Sequence, residues 1–312
     1  MHPLYKMKDS IAVIDIGTNS IKFCMAKNSN GIIQPLADSV HITRIGENFQ
    51  QTGKISPSAM ERNLPIIHEL CDRARQSGVS QIIAIGTMIF RHASNADHFI
   101  QQVKTQCGIH IHVLSGDDEA RLSYLAAISS IHGISGDIIV IDTGGGSTEL
   151  TFGKDKNIVK SMSFNIGAVL LTEKFCKSDP VAQHNIEQLY KHIQSEIDLN
   201  RMKNSVDYLI GSCGAITTMA SMKFKLTHYD SNAIHGSILS RRDVQKQLNL
   251  LASKTTRQRK EIPGIQNGRE DIALAGVCIV DCLMAKLKCD QIIVCDRGIR
   301  YGMIDEFFKK SN

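Results

Sequence analysis

Aromatic side chains are scarce in this sequence, 5% of 312 residues. None interleaves the most basic stretch, RRDVQKQLNLLASKTTRQRK (241–260). Single-stranded nucleic acids are gripped by cationic grooves that also stack bases on aromatic rings, so that class of partner is disfavoured. Seven basic residues against one acidic leave two readings of the run, a solvated helical face or a landing strip for a polyanion. The nine cysteines are odd in number and scattered without a CxxC pair. That spacing supports neither a disulfide framework nor a zinc site, and reduced thiols in a cytoplasm are the economical expectation. The opening MHPLYKMKDS has no apolar signal-peptide core. The longest apolar segment, IALAGVCIVDCLMAKLKC (272–289), is interrupted by Asp281 and Lys286, so it reads as a buried helix and no membrane partner is expected. No low-complexity tract or flexible linker is evident. Two familiar phosphate-binding motifs are missing as well. There is no GxxxxGK[ST], and the only approach to GxGxxG lacks its third glycine and a following helix.

What is present is ordinary globular composition, 42% hydrophobic and 21% charged, with a net charge of +5 that suits an anionic ligand without requiring one. The length accommodates two domains. One internal echo organises the chain: IAVIDIGTNS (11–20) and IIVIDTGGGS (138–147) align without a gap, matching Asp15 with Asp142, Gly17 with Gly144 and Ser20 with Ser147. After each loop the pattern alternates apolar and polar, in SIKFCMAK and STELTFGK, which predicts a β-hairpin turn rather than a strand-to-helix turn. Copies half a chain apart suggest two related domains; chance similarity of two short motifs is the alternative.

The remaining pattern predicts alternating elements, hence an α/β class with mixed sheets. In the first half these are a helix over 56–78, N-capped by Ser56 with Pro57 at its first position, Gly78 as a stop and a kink at Pro65. A strand over 81–86, a helix over about 93–106, a strand over 109–114 and a helix capped by Ser115 and Asp118 follow. In the second half strands fall near 138–142, 147–153, 157–164, 206–211 and 291–295. Helices fall near 167–175, 181–199, 214–223, 241–251, 270–288 and 300–309.

In VIDTGGGSTEL (140–150) glycines let backbone amides converge on a ligand, forming a nest suited to phosphate oxygens. Ser147 and Thr148 add hydroxyls, while Asp142 and Glu149 are hard oxygen ligands suited to Mg²⁺ carrying phosphate. A plain tight hairpin is the competing reading of the motif alone; the second copy, DIGTNS, favours two loops gripping one phosphate chain. Glu119 lies in a first helical turn, where the helix dipole favours an ionised carboxylate able to take a proton from water. On pattern alone it reads first as a routine first-turn acid, like Asp117 and Asp118. Arg91 could clamp a phosphate, or could form a surface ion pair. His110 and His112 share a strand face without a third ligand, which favours a structural role.

At DIGTNS, GDDEARL and VIDTGGGSTEL the sequence resembles the exopolyphosphatase and guanosine pentaphosphate phosphohydrolase (Ppx/GppA) family, part of the superfamily of actin, sugar kinases and heat-shock chaperones. Thr87, Arg91-His92-Ala93-Ser94-Asn95, Ile234-His235-Gly236, Arg269-Glu270-Asp271, Ala275-Gly276 and Asp296-Arg297-Gly298-Ile299-Arg300 extend the match over nearly the whole chain. The resemblance implies two ribonuclease-H-like domains, 1–124 plus 299–312 and 125–298, with an active cleft between them. It implies that Glu119 is the catalytic base, that Asp142 and Glu149 hold Mg²⁺ or Mn²⁺, and that Arg91 grips phosphate. Asp15, Gly17, Thr18, Asn19 and Ser20 match the first phosphate loop, and Gly144, Gly145, Gly146, Ser147 and Thr148 the second. The expected reaction is release of terminal orthophosphate from inorganic polyphosphate. Guanosine pentaphosphate is the alternative substrate, a non-hydrolysing alarmone sensor or an ATP-dependent kinase the alternative classes, and a homodimer follows by family analogy only. Three departures stand out. Met88, Ile89 and Phe90 replace small residues before the arginine, Ala215 replaces a common threonine in Gly211-Ser212-Cys213-Gly214-Ala215, and longer members carry further C-terminal helical domains.

Overall fold

The stretch Ile11-Ala12-Val13-Ile14-Asp15-Ile16 is apolar at every position but one, the pattern of a strand covered on both faces. Its five apolar residues are fully buried. A computed structural model describes residues 7–29, 32–199 and 206–310 of the chain, so the first six residues of the stretch read for a signal peptide lie outside the described residues. The chain divides into two units, Met1–Leu122 with Ile299–Asn312, and Ser123–Gly298.

The first unit holds β1 (Met7–Ile16), β2 (Ser20–Ser29), β3 (Ile32–Ile42), α1 (Phe49–Thr52), α2 (Pro57–Gln76), β4 (Val79–Gly86), α3 (Met88–His92), α4 (Ala96–Cys107) and β5 (Ile111–Val113). The division between units falls inside α5 (Gly116–Ser130). The second unit continues with β6 (Asp137–Thr143), β7 (Thr148–Lys154), β8 (Asn157–Phe164), α6 (Ala168–Phe175), α7 (Gln183–Glu196), β9 (Tyr208–Gly211), α8 (Gly214–Lys223) and α9 (Ser231–Ile234). It closes with β10 (Ile238–Ser240), α10 (Arg241–Ala252), α11 (Thr256–Arg259), α12 (Ala273–Lys286) and β11 (Gln291–Val294), and α13 (Ile299–Lys310) belongs to the first unit again.

The sheet orders are β3-β2-β1-β4-β5 and β10-β11-β9-β6-β7-β8. In each, an antiparallel meander of three strands shares its first strand with a parallel run: β1 pairs with β4 and β4 with β5, β6 with β9 and β9 with β11. Both expected hairpins are present and both sheets are mixed. Ala12, Ile14 and Ile16 pack with Ile67, Leu70 and Phe99 of α2 and α4, whereas Ile11 and Val13 meet Leu122 of α5 and Ile304 and Phe308 of α13. A Cβ on Gly302 would lie 2.1 Å from the Leu122 carbonyl oxygen, so α13 crosses α5 in backbone contact. The second sheet is clothed in the same way, Ile139 and Ile141 toward α8 and α12, Ile138 and Val140 toward Tyr124 and Ala127 of α5. The interrupted apolar segment is α12, buried without a break from Ala273 to Met284, with Asp281 accepting from Tyr190 at 2.9 Å. Among the described residues no helix is long and apolar enough to cross a membrane.

The helix expected over about 93–106 is α4, which starts at Ala96, and an unexpected short helix, α3, precedes it. Between the two, Asn95 turns its amide onto Ile55, accepting from its N–H at 2.9 Å and donating to its carbonyl at 2.8 Å. Pro65 lies inside α2, which continues as helix to Gln76. Two strands carried no usable pattern: β3 is an edge strand with Pro35 and mostly exposed side chains, and β10 has three residues. The caps behave as expected. Ser56 accepts from the Ala59 N–H at 3.2 Å, Ser115 from the Asp118 N–H at 3.1 Å, and Gly78 sits at a φ of 70° past the end of α2.

Candidate active site

The two loops fold alike. Gly17 donates its N–H to the Ser20 carbonyl at 3.0 Å, and its counterpart Gly144 donates to the Ser147 carbonyl at 2.8 Å. Each turn is then held from behind by the segment after the third strand of its meander. In the first unit, Thr43 and Arg44 N–H groups bind the Asn19 carbonyl at 3.1 and 3.0 Å, and Gly46 N–H binds the Thr18 carbonyl at 2.9 Å. In the second, Ala168 N–H binds the Gly144 carbonyl at 3.0 Å, and Val169 and Leu170 N–H groups bind the Gly145 carbonyl at 2.9 and 3.2 Å. These contacts need glycine at the point of closest approach. A Cβ on Gly46 would lie 2.3 Å from Thr18 Cγ2, and one on Gly167 would lie 2.3 Å from the Gly145 backbone.

With the carbonyls so occupied, the turn amides are what remains to face a ligand. Among the described residues, no hydrogen bond takes the N–H of Thr18, Asn19, Gly145 or Gly146. Free convergent amides are the donor set of an anion nest. Thr18, Ser20 and Ser147 are buried beside them. Thr148 is differently employed: its hydroxyl donates to the Ile166 carbonyl at 2.6 Å and is fully enclosed, which ties β7 to the strap behind the loop.

The acids sit where the register puts them. Asp142 faces Glu149 directly across β6 and β7, and Asp15 faces Lys22 directly across β1 and β2. Directly opposed residues share one face of a sheet, with Cβ atoms about 4.5–5.5 Å apart. In the first unit the Lys22 ammonium answers the acid, 3.6 Å from Asp15. Burial nonetheless pushes the Asp15 carboxyl above its ordinary range against the opposing pull of Lys22 and Arg300, and one Asp15 oxygen is buried without a hydrogen-bond donor. In the second unit a glutamate occupies the lysine position. Ser123, on α5, donates to Asp142, and Ser163, facing Glu149 across β7 and β8, donates to it at 2.8 Å.

Asp142 and Glu149 are two hard oxygen donors, and among the described residues no cluster of three or more His, Cys, Asp or Glu side chains could hold a metal. That donor set fits Mg²⁺, which takes one or two carboxylates and completes its shell with water and phosphate oxygens.

Glu119 stands in the first turn of α5 and is 6% exposed. The structure brings Arg91 to it: Nη1 of Arg91 donates both to Glu119 and, at 2.7 Å, to the Leu114 carbonyl. No partner among the described residues takes Nε or Nη2, so the outer edge of the guanidinium remains available. The bulky residues before Arg91 are explained by packing. Met88, Ile89 and Phe90 are buried, Phe90 stacks on Phe99 at 6.2 Å, and together they anchor the helix α3 that carries Arg91. Thr87 borders the first loop, its hydroxyl 4.0 Å from the position a Cβ on Gly17 would take. Gly17, Thr87 and Leu114 follow the ends of β1, β4 and β5, which are parallel, so the acid and the loop share the carboxyl edge of that sheet, the usual ligand edge in such folds.

Other candidates have structural employment. His110 and His112 pack edge to face at 5.3 Å. The basic run does not present one face. Arg259 is buried with its Nε on the Leu251 carbonyl at 2.9 Å, and Lys260 reaches Glu270 at 3.3 Å. Ala215 sits at a crossing so close that a Cβ on Gly276 would lie 2.9 Å from its own. None of the nine cysteines forms a disulfide. Residue-by-residue reading passed over Ser123, Ser163 and the glycines of the straps; the recurrence of Ile-Gly at 45–46 and 166–167 was the available signal. It also gave no role to Arg269, a guanidinium 7% exposed over Gly214, donating to that carbonyl at 2.5 Å and to Thr218 at 3.1 Å, its pKa depressed to about 10 by burial.

Residues 24–311 match the family described as Ppx/GppA phosphatase. The chain belongs to the Ppx/GppA phosphatase family. Phosphohydrolase chemistry comes with that membership. Among Ppx/GppA relatives, the bifunctional 3-dehydroquinate synthase/phosphatase of Fusobacterium nucleatum is 31% identical over 97% of this chain, which spans 47% of that protein. Exopolyphosphatase 2 of Mycobacterium tuberculosis is 26% identical over 94% of this chain and 97% of its own length. The crystal structure of the Aquifex aeolicus Ppx/GppA family member superposes with a TM-score of 0.82 at 29% identity, covering 97% of this chain and 99% of that one. The fold is thus the family's, two α/β units, each on a mixed sheet.

Proposed function

We propose that this protein is an exopolyphosphatase that hydrolyses the terminal phosphoanhydride of inorganic polyphosphate with the help of a divalent cation. The observation that carries the reading is the Asp142–Glu149 pair, opposed in register beside a glycine turn with open amides. The names of relatives that this chain matches nearly end to end support the substrate class. A bound Mg²⁺ would neutralise phosphate oxygens from Asp142 and Glu149. The chain's own groups do the rest. The amides of Thr18, Asn19, Gly145 and Gly146 bind anionic oxygens, and the open edge of Arg91 takes an oxygen while its inner nitrogen orients Glu119. Glu119 accepts the proton of the attacking water through the carboxylate that Arg91 steers. Such positioning and charge stabilisation account for most catalysis of phosphoryl transfer.

The test is orthophosphate release by the purified chain from polyphosphates of graded length, from guanosine pentaphosphate and from ATP, with Mg²⁺, with Mn²⁺ and with chelator. Metal-dependent release from polyphosphate is expected. Release confined to guanosine pentaphosphate would replace the substrate, and full activity in chelator would remove the cation.

A further inference from the structure

The duplicated hairpins differ at one position of consequence, and the difference exposes two hydroxyls that no part of the mechanism has used. Where the first sheet answers Asp15 with Lys22, the second answers Asp142 with Glu149 and adds a serine to each acid. Ser163 stands directly opposite Glu149 on the neighbouring strand and donates to Oε1 at 2.8 Å. Ser123 comes from α5, four residues beyond Glu119, and donates to Oδ2 of Asp142. The row Asp142, Glu149, Ser163 therefore runs across β6, β7 and β8 on one face.

A hydroxyl donor fixes the rotation of the carboxylate plane it binds, and a hard cation needs its carboxylates held at a set angle and distance. We propose that Ser123 and Ser163 are positioning residues that hold Asp142 and Glu149 aimed as a divalent-cation pair. They act through the acids, as the outer partners of metal ligands do, and do not themselves touch the cation.

The proposal rests on the reading of Asp142 and Glu149 as cation ligands, and the experiment separates the two. The full-length protein, freed of metal by chelator, is titrated with Mn²⁺, and bound metal is read from loss of the free-ion electron paramagnetic resonance signal. Unaltered protein should bind one Mn²⁺ that Asp142→Asn abolishes. Ser163→Ala and Ser123→Ala should each weaken binding about 10–100-fold, the usual effect of removing such a partner. Ser163→Thr, which restores the hydroxyl, should recover most of the loss. Thermal unfolding of each variant establishes that it is folded. If the alanine variants bind Mn²⁺ as the unaltered protein does, the serines are structural and the proposal is overturned while the ligand assignment stands. If the unaltered protein shows no Mn²⁺ site sensitive to Asp142→Asn, the ligand assignment fails and takes the serine roles with it.

Discussion

Glu119 and Arg91 are 28 positions apart in the chain and meet because α3 and α5 begin at neighbouring strand ends. A carboxylate held by a guanidinium is well oriented, and its value lies in placement. Replacing it with the isosteric amide keeps the shape and removes the proton acceptor. Glu119→Gln should therefore leave polyphosphate binding in place while phosphate release falls about 10²–10⁴-fold, the usual worth of a general base. Single-turnover release within a few-fold of the unaltered protein would assign the proton transfer elsewhere. Asp15 illustrates the opposite case, an acid kept in place against its own stability. Burial raises its carboxyl pKa in the folded protein. The folded state then holds the proton more tightly than the unfolded chain, so stability is greatest in acid and declines as pH rises from the ordinary carboxyl range through the raised folded value. Asp15→Asn should accordingly gain thermal stability relative to the unaltered protein at neutral pH, with the gain shrinking as both are taken below about pH 4. A melting-temperature difference that does not change with pH would refute the linkage.

At the level of elements, the hairpins, the caps and α12 were legible because each rests on a local signal. Apolar stretches ended in Asp-x-Gly, serines stood three residues ahead of acids, and an apolar run was too interrupted for a membrane. What local pattern could not carry was the straps. Residues 43–46 and 165–167 are irregular backbone, and their purpose, with the first turn of α6, to occupy the loop carbonyls and so present the loop amides, exists only after three strands have paired. The break between α3 and α4 has the same origin, the Asn95 side chain bonding the backbone 40 residues earlier. Gly167 gives the strap its test. A methyl group there would lie 2.3 Å from the Gly145 backbone, so either strap or loop must retreat. Gly167→Ala should cost about 1–3 kcal/mol of stability, the typical price of overpacking, measured by urea unfolding. It should also weaken inhibition by the product orthophosphate, because the amides of Gly145 and Gly146 move with the loop. Loss of stability with product inhibition intact would show that the strap braces the sheet without shaping the anion site.

For the whole molecule, the duplication is more complete than the ten-residue echo suggests. It extends to strand order, to the turn hydrogen bond, to the strap and to the clothing of both sheet faces. Two halves that agree so far make their disagreement informative. Lys22 and Glu149 occupy the same place opposite an equivalent aspartate, so the first hairpin sets a cation of its own beside its acid where the second sets another acid. The Lys22→Glu variant converts the first hairpin to the chemistry of the second. In chelator it should lose about 1–3 kcal/mol of stability, since a buried carboxylate loses its counter-charge and gains a like one. Because the two turns share a backbone, the new acid pair should then respond to a divalent ion. Added Mn²⁺ should raise the melting temperature of Lys22→Glu by more than it raises that of the unaltered protein, the excess being binding to the folded state alone. Equal shifts in the two proteins would mean that an opposed pair of acids is insufficient. Among the described residues no serine donates to Asp15 as Ser123 and Ser163 do to the acids of the second hairpin, and their hydroxyls would then be what the converted pair lacks.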